Sequence, residues 1–324
     1  MGFIDMHCDT LMMAQFKNTG LYDNKETAVD FKRMKEAGAL AQFFAIFMPD
    51  KETYDIFQVK QMPDQEYFDA LYALFLAQMK EHRDIIARAY TAKDVLDNEK
   101  KGLMSAVLTM EDGRMVNGDF EKLEDFYDLG VRALTLTWNY ENCFGFPNSR
   151  DAAVMEKGLK PFGKEAIEFM NELGILVDVS HLSDGGFWDV AKIADKPFIA
   201  THSNCRSLSP HQRNLTDEMI KALAEQGGVM GLNFCPAFLN KDINCEDSRI
   251  EEMVAHLQHA KNVGGIEVLA LGGDLDGCGG NMEVADSLGY PKLFEAIKKA
   301  GFTESELDKI THENVLRVMK DTLW

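Results

Sequence analysis

In FIDMHCDT, residues 3–10, a histidine and an aspartate stand two apart directly after a hydrophobic entry. In an extended strand, residues i and i+2 point to the same side, so His7 and Asp9 would converge while Cys8 faces away. An imidazole and a carboxylate aimed at one point hold a metal ion if further ligands reach them. Otherwise they are a capping histidine and an aspartate that begins a turn. Further candidates do follow hydrophobic runs elsewhere: Glu111 ends LMSAVLTME, His181 ends ILVDVSH, His202 ends KPFIATH and Asp274 ends GIEVLALGGD. One histidine after such a run is ordinarily structural; three, with three carboxylates at equivalent ends, read as a metal site. Imidazole and carboxylate together suit Zn²⁺ and its first-row neighbours. His7, Asp9, Glu111, His181 and His202 are too many for one tetrahedral zinc with an open position. They match two divalent metals sharing a bridging carboxylate, and such a pair, about 3.5–4 Å apart, activates a bridging water and polarises a substrate oxygen. Glu111 is the candidate bridge, because a carboxylate buried so deep on its run would be costly without a metal.

The other five histidines lack this placement. His256 and His259 lie three apart on a helix face that reads as solvated. His82 and His312 fall in charged helical stretches, and His211 sits in a loop beside Arg213.

The elements that must position the ligands follow from the same runs. Gly38, Gly102, Gly130, Gly174 and Gly228 each precede an apolar segment, and with FIDMHCD, KPFIATH and the run after Gly265 there are eight candidate strands. A helix ending in a left-handed glycine and then a continuous hydrophobic strand is a βα unit in sequence. The segments between have helical period, as in FEKLEDFYDL (120–129) and IEEMVAHLQHAKNV (250–263). Eight such units with no linker between them predict an α/β fold, a single (β/α)8 TIM barrel over residues 1–324. A barrel needs about 250 residues, so insertions are expected, near 49–95 and 139–160.

The chain has 324 residues, 46% of them apolar, and a net charge of −19. Phosphate contacts need clustered Lys and Arg, so nucleic acid is excluded as a partner, and an anionic membrane surface with it. MGFIDMHCDT shows no basic n-region, so no secretory signal is expected, and no apolar run of about 18 residues occurs. The six cysteines form no CxxC pair and read as free thiols in a cytoplasmic protein.

HCD near the start, MEDG at 110–113, DVSH at 178–181, THS at 201–203, QRN at 212–214 and GGDLDG at 272–277 resemble the membrane (renal) dipeptidase family. These are the M19 metallopeptidases of the amidohydrolase superfamily, and the six motifs run in the family's order over essentially the whole chain. The resemblance implies a zinc-dependent dipeptidase that cleaves free dipeptides, with D-residues accepted at the C-terminal position, by means of a metal-bridging hydroxide. It assigns His7 and Asp9 to one Zn²⁺, His181 and His202 to the second, and Glu111 between them. It further implies that Arg213 holds the substrate carboxylate, for which a guanidinium fork is suited, and that Asp274 handles the proton of the attacking water. Asp276 is expected in the following turn, bonded to its own backbone. After LTLT, where the family's membrane dipeptidases carry a substrate-binding histidine, this chain has Trp138, followed by Asn139; both are expected in the substrate pocket. The chain looks like a cytoplasmic microbial member with a small dipeptide as its partner and a homodimer as its assembly. A deaminase or lactonase of the same superfamily, or a silent metal-binding homologue, is the alternative, and Arg213 separates them by having a purpose only for a substrate that ends in a carboxylate.

Overall fold

The computed structural model describes residues 2–324. Helices Phe31–Ala37, Phe120–Leu129 and Pro161–Leu173 end on Gly38, Gly130 and Gly174, whose φ values of 84°, 102° and 85° turn the chain directly into a strand. The strands are β1 (Phe3–Cys8), β2 (Ala39–Phe47), β3 (Met104–Glu111), β4 (Val131–Thr135), β5 (Leu176–Asp178), β6 (Ile199–Ala200), β7 (Val229–Leu232) and β8 (Leu269–Leu271). Each pairs in parallel with the next, and β1 closes on β8 with Asp5 opposite Leu271. The eight runs therefore form one closed (β/α)8 barrel.

Two apolar layers hold it. Inside the barrel, Ile4, Met6, Phe43, Val107, Leu176, Ile199 and Val229 pack together, and Val315, Val318 and Met319 of the last helix close the lower end. Outside, alternate strand residues such as Phe44, Ile46, Leu108 and Met110 pack on the surrounding helices. Residues buried on both faces explain why these strands read as unbroken hydrophobic runs.

Between β2 and β3 stand helices Lys51–Phe57, Asp64–Glu81 and Ala92–Lys100, together with a short strand, Ile86–Arg88, that pairs with the start of β3. Sequence reading does not distinguish that three-residue strand from insertion. The stretch 139–160 is mostly irregular, with one short helix at Ala152–Met155. Among the described residues no helix is long and apolar enough to cross a membrane.

Candidate metal centre

All six carboxylates and imidazoles named above stand at the C-terminal mouth of the barrel and are buried. How they arrive there is partly unexpected. His7 has the strand parity of Phe3, which faces outward, yet it reaches the barrel axis. The pairing of β1 with β2 slips by one residue between Asp5 and Cys8, a bulge that re-aims the side chains after it. Asp9 lies just past the strand, at the N-cap position of helix Thr10–Lys17, with a side chain that makes no capping bond. The two side chains converge because the strand breaks its alternation, not because it keeps it. On the strands that follow β1 around the closure of the barrel, glycine is required at 231 and 272. A Cβ there would stand 1.9 and 1.7 Å from the Thr201 carbonyl oxygen, so only bare backbone lets the segment carrying His202 settle into the mouth.

The Glu111 carboxylate divides the site. Its Oε2 lies 3.3 Å from His7 Nε2, which is itself 3.4 Å from Asp9 Oδ2. Its Oε1 lies 3.0 Å from His181 Nε2 and 3.4 Å from His202 Nε2. Donor atoms of His7, Asp9 and Glu111, of Glu111, His181 and His202, and of His7, His202 and Asp274 form three groups, each compact enough to ligate one ion. This is the division expected of a carboxylate shared by two ions.

Whether a cation fits is decided by the protons. The His181 and His202 Nε2 atoms face each other at 3.1 Å. His202 Nδ1 contacts Thr201 Oγ1 at 2.7 Å, and that hydroxyl donates to Asp178 Oδ2 at 2.6 Å. The Thr201 oxygen can then only accept from His202, so the proton sits on Nδ1 and the His202 Nε2 lone pair points into the cluster. His7 Nε2 and Asp9 Oδ1 have no hydrogen-bond partner. Burial lowers His7, but Glu111 and Asp9 outweigh it and hold the imidazole well above its usual range, so this cluster of carboxylates draws positive charge; with the free His202 lone pair and the unpartnered Asp9 oxygen, it fits divalent cations. Burial pushes Asp9 up to about 7 and Asp274 up to about 6. Burial also pushes Glu111 up, but His7, His181 and His202 outweigh it and hold that carboxyl well below its usual range. Burial first, then Arg213, lowers His181 to about 4.

Arg213 is 5% exposed. Its Nη2 donates to the His202 carbonyl at 3.3 Å, while Nε and Nη1 have no partner. It lines a cavity of about 550 Å³ together with Glu111, His181, Asp274, Trp138 and Asn139. Trp138 is half-buried, with its ring 4.8 Å from Phe47 and 6.2 Å from His181. Every residue named for metal or substrate thus borders this cavity or the cluster beneath it.

Two readings need correction. His256 is not on a solvated face: it is buried, its Nδ1 accepts from Cys205 N–H at 3.0 Å and its Nε2 meets the Leu239 carbonyl at 2.9 Å. Asp276 does not bond its own turn. It accepts from Thr10 Oγ1 and from the Ala28 and Val29 N–H groups, both carboxylate oxygens serving remote chain. The motif reading also passed over residues that orient the site. Asp178 collects Thr135 Oγ1, Thr201 Oγ1 and two backbone N–H groups. Asn233 donates to Asp274 Oδ2 at 2.9 Å. Asp5 accepts from His7 N–H, Gln42 Nε2, Gly273 N–H and the Tyr290 hydroxyl. An aspartate inside an apolar run, as in FIDM or LVDV, was the available signal. His181, Asp274 and Asp276 adopt φ values of 69°, 58° and 70°, left-handed conformations that non-glycine residues hold mainly where surrounding structure enforces them.

Residues 1–323 match the sequence profile of the membrane dipeptidase family, peptidase family M19. An uncharacterized protein in the pqqA 5′ region of Klebsiella pneumoniae is 35% identical over 241 residues, 72% of this chain and 88% of that one. Dipeptidase tcpJ of Claviceps purpurea is 28% identical over 299 residues, 90% of this chain and 69% of that one. Among solved structures, a metallopeptidase from Rhodobacter sphaeroides, liganded with a phosphinate mimic of the dipeptide L-Ala-D-Ala, aligns with a TM-score of 0.90 and 28% identity over 100% of this chain and 99% of that one. With the barrel, the clustered donors and this match over essentially its full length, the chain belongs to the membrane dipeptidase family, peptidase family M19.

Proposed function

We propose that the protein hydrolyses the peptide bond of free dipeptides with two zinc ions, or other first-row divalent metals, per chain. His7 and Asp9 would hold one ion, His181 and His202 the other, and Glu111 both. When bound, such ions make water nucleophilic at neutral pH and polarise a carbonyl oxygen. Every other task falls to the chain. Arg213 Nε and Nη1, buried and unpartnered, would receive the substrate's C-terminal carboxylate; this is the observation that carries the reading, since burying unpaired guanidinium donors is costly unless a ligand completes them. Asn233 holds one oxygen of Asp274, leaving Oδ1, 3.8 Å from His7 Nε2, turned toward the reacting centre. A carboxyl raised by burial to about 6 is mostly ionised at pH 7 yet readily protonated. It suits a group that takes the water's proton and returns it to the leaving amine. Trp138, at the wall, would shape the substrate pocket, with Asn139 at its rim. Acceptance of a D-residue at the C-terminal position is supported by the likeness to the Rhodobacter sphaeroides peptidase, whose ligand mimics L-Ala-D-Ala. The test is hydrolysis of matched free and C-terminally amidated dipeptides by the metal-loaded protein: the free form is expected to be strongly preferred, and equal rates would remove the carboxylate reading.

A further inference from the structure

His211 has no part in the mechanism above, yet it borders the same cavity as Arg213 and Asp274. The loop that carries it is pinned by Asn214, whose side chain accepts from Asn204 N–H at 3.1 Å and donates to the Ser209 and Phe238 carbonyls at 3.0 and 2.9 Å. Two side chains of that loop pack on the Phe238 ring: the His211 ring lies 4.8 Å from it and the Arg213 guanidinium carbon 5.2 Å. The loop also decides where the imidazole carries its proton. Arg213 N–H donates to His211 Nδ1 at 3.2 Å. A ring nitrogen that accepts has no proton, so the neutral ring keeps its proton on Nε2. Among the described residues no group accepts from that Nε2. Burial first, then Arg213, lowers His211 to about 4, so near pH 7 the ring is a neutral donor that stands beside the guanidinium without repelling it.

We propose that His211 is a substrate-binding residue whose Nε2–H is a further donor to the C-terminal carboxylate that Arg213 receives. A carboxylate offers about four lone-pair positions, and the two unpartnered Arg213 donors fill only two of them. A neutral N–H given to a carboxylate is a charge-assisted bond, stronger than one between neutral groups. Because the loop fixes the ring beforehand, substrate gains this bond without the entropy cost of ordering a side chain. The carboxylate is remote from the scissile bond and does not change during hydrolysis. The contact is therefore the same in ground state and transition state, and its loss falls on KM rather than kcat.

The inference rests on the dipeptidase reading and on Arg213 as the carboxylate site, so the two are measured separately. The native, metal-loaded protein with matched free and amidated dipeptides tests that reading alone, and a native protein without preference for the free form would remove both. Two variants then test His211. His211→Asn keeps the turn, because an asparagine side chain accepts from the backbone N–H two residues on, but its amide stops short of the Nε2 position. His211→Gln does the reverse: it carries an amide N–H to about the reach of Nε2 and gives up the turn acceptor. At matched metal content, His211→Asn is expected to raise KM for free dipeptides at least about tenfold, with kcat within about twofold of native and amidated dipeptides unaffected. His211→Gln is expected to recover part of that loss. If the native protein prefers the free form, three results would each overturn the proposal and leave His211 as a turn residue. They are a His211→Asn variant equal to native, equal losses on free and amidated substrates, and a His211→Gln variant worse than His211→Asn.

Discussion

Arg213→Met separates the two sides of a buried charge. In the native chain the guanidinium is 5% exposed, has one hydrogen bond, to the His202 carbonyl, and stands 5.2 Å from the Phe238 ring. Burial lowers its pKa even though Asp274, Glu111 and Asp178 pull it up, so the charge is on balance unfavourable to the folded state. Methionine fills much of the same volume without it. The metal-loaded variant should therefore melt at or above the native temperature. Substrate pays the opposite sign: two charge-assisted hydrogen bonds to a carboxylate, about 1.5–3 kcal/mol each, predict a loss in kcat/KM for free dipeptides of about 10²- to 10⁴-fold. The assay is steady-state hydrolysis of free and amidated dipeptides, with thermal unfolding of the same preparations. A variant that melts lower and still prefers the free carboxylate would refute the reasoning.

Asp274→Asn should lose at least about a hundredfold in kcat, the scale for removing a general acid–base group. Asp276→Asn, which loosens the tether to Thr10, Ala28 and Val29, should lower thermal stability more than kcat; the reverse pattern at matched metal occupancy would exchange their roles. Thr201→Val leaves His202 Nδ1 without its acceptor and should weaken metal binding about 10- to 100-fold in a chelator competition, with Thr201→Ser restoring it. Burial lowers His256 to about 4 from an unfolded value of about 6.5. A histidine kept neutral by folding contributes stability that is present above pH 6.5 and is lost as pH falls toward 4, about 3 kcal/mol in all. His256→Gln should flatten that part of the urea-midpoint profile between pH 7 and 4.5, and an unchanged slope would show that His256 is not the group responsible.

What could be read without the structure was local. Gly38, Gly130 and Gly174 mark helix ends by their own backbone preference, and the apolar runs after them are long because barrel strands are buried on both faces. His181, His202 and Asp274 stand out because a polar residue closing such a run has few structural reasons to be there. What could not be read depends on contacts between distant segments. The bulge that turns His7 inward is a mismatch between β1 and β2, and neither strand announces it alone. His256 has the helical spacing of a surface residue, but its partners, Cys205 and Leu239, lie 51 and 17 positions away. Asp276 precedes Gly277 as a turn aspartate would, and yet it serves a segment 248 residues earlier. The Asp178–Thr201–His202 chain joins the ends of two strands, so DVSH and THS show its parts without showing the link.

Glu111 is placed where it could serve two ions, with one oxygen toward His7 and the other toward His181 and His202. The direct measurement is metal content by plasma mass spectrometry of protein stripped with a chelator, reloaded with zinc and freed of excess, with Glu111→Gln alongside. Two ions per native chain and at most one per variant chain are predicted. A native chain that never holds more than one ion, or a Glu111→Gln variant that still holds two, would contradict it.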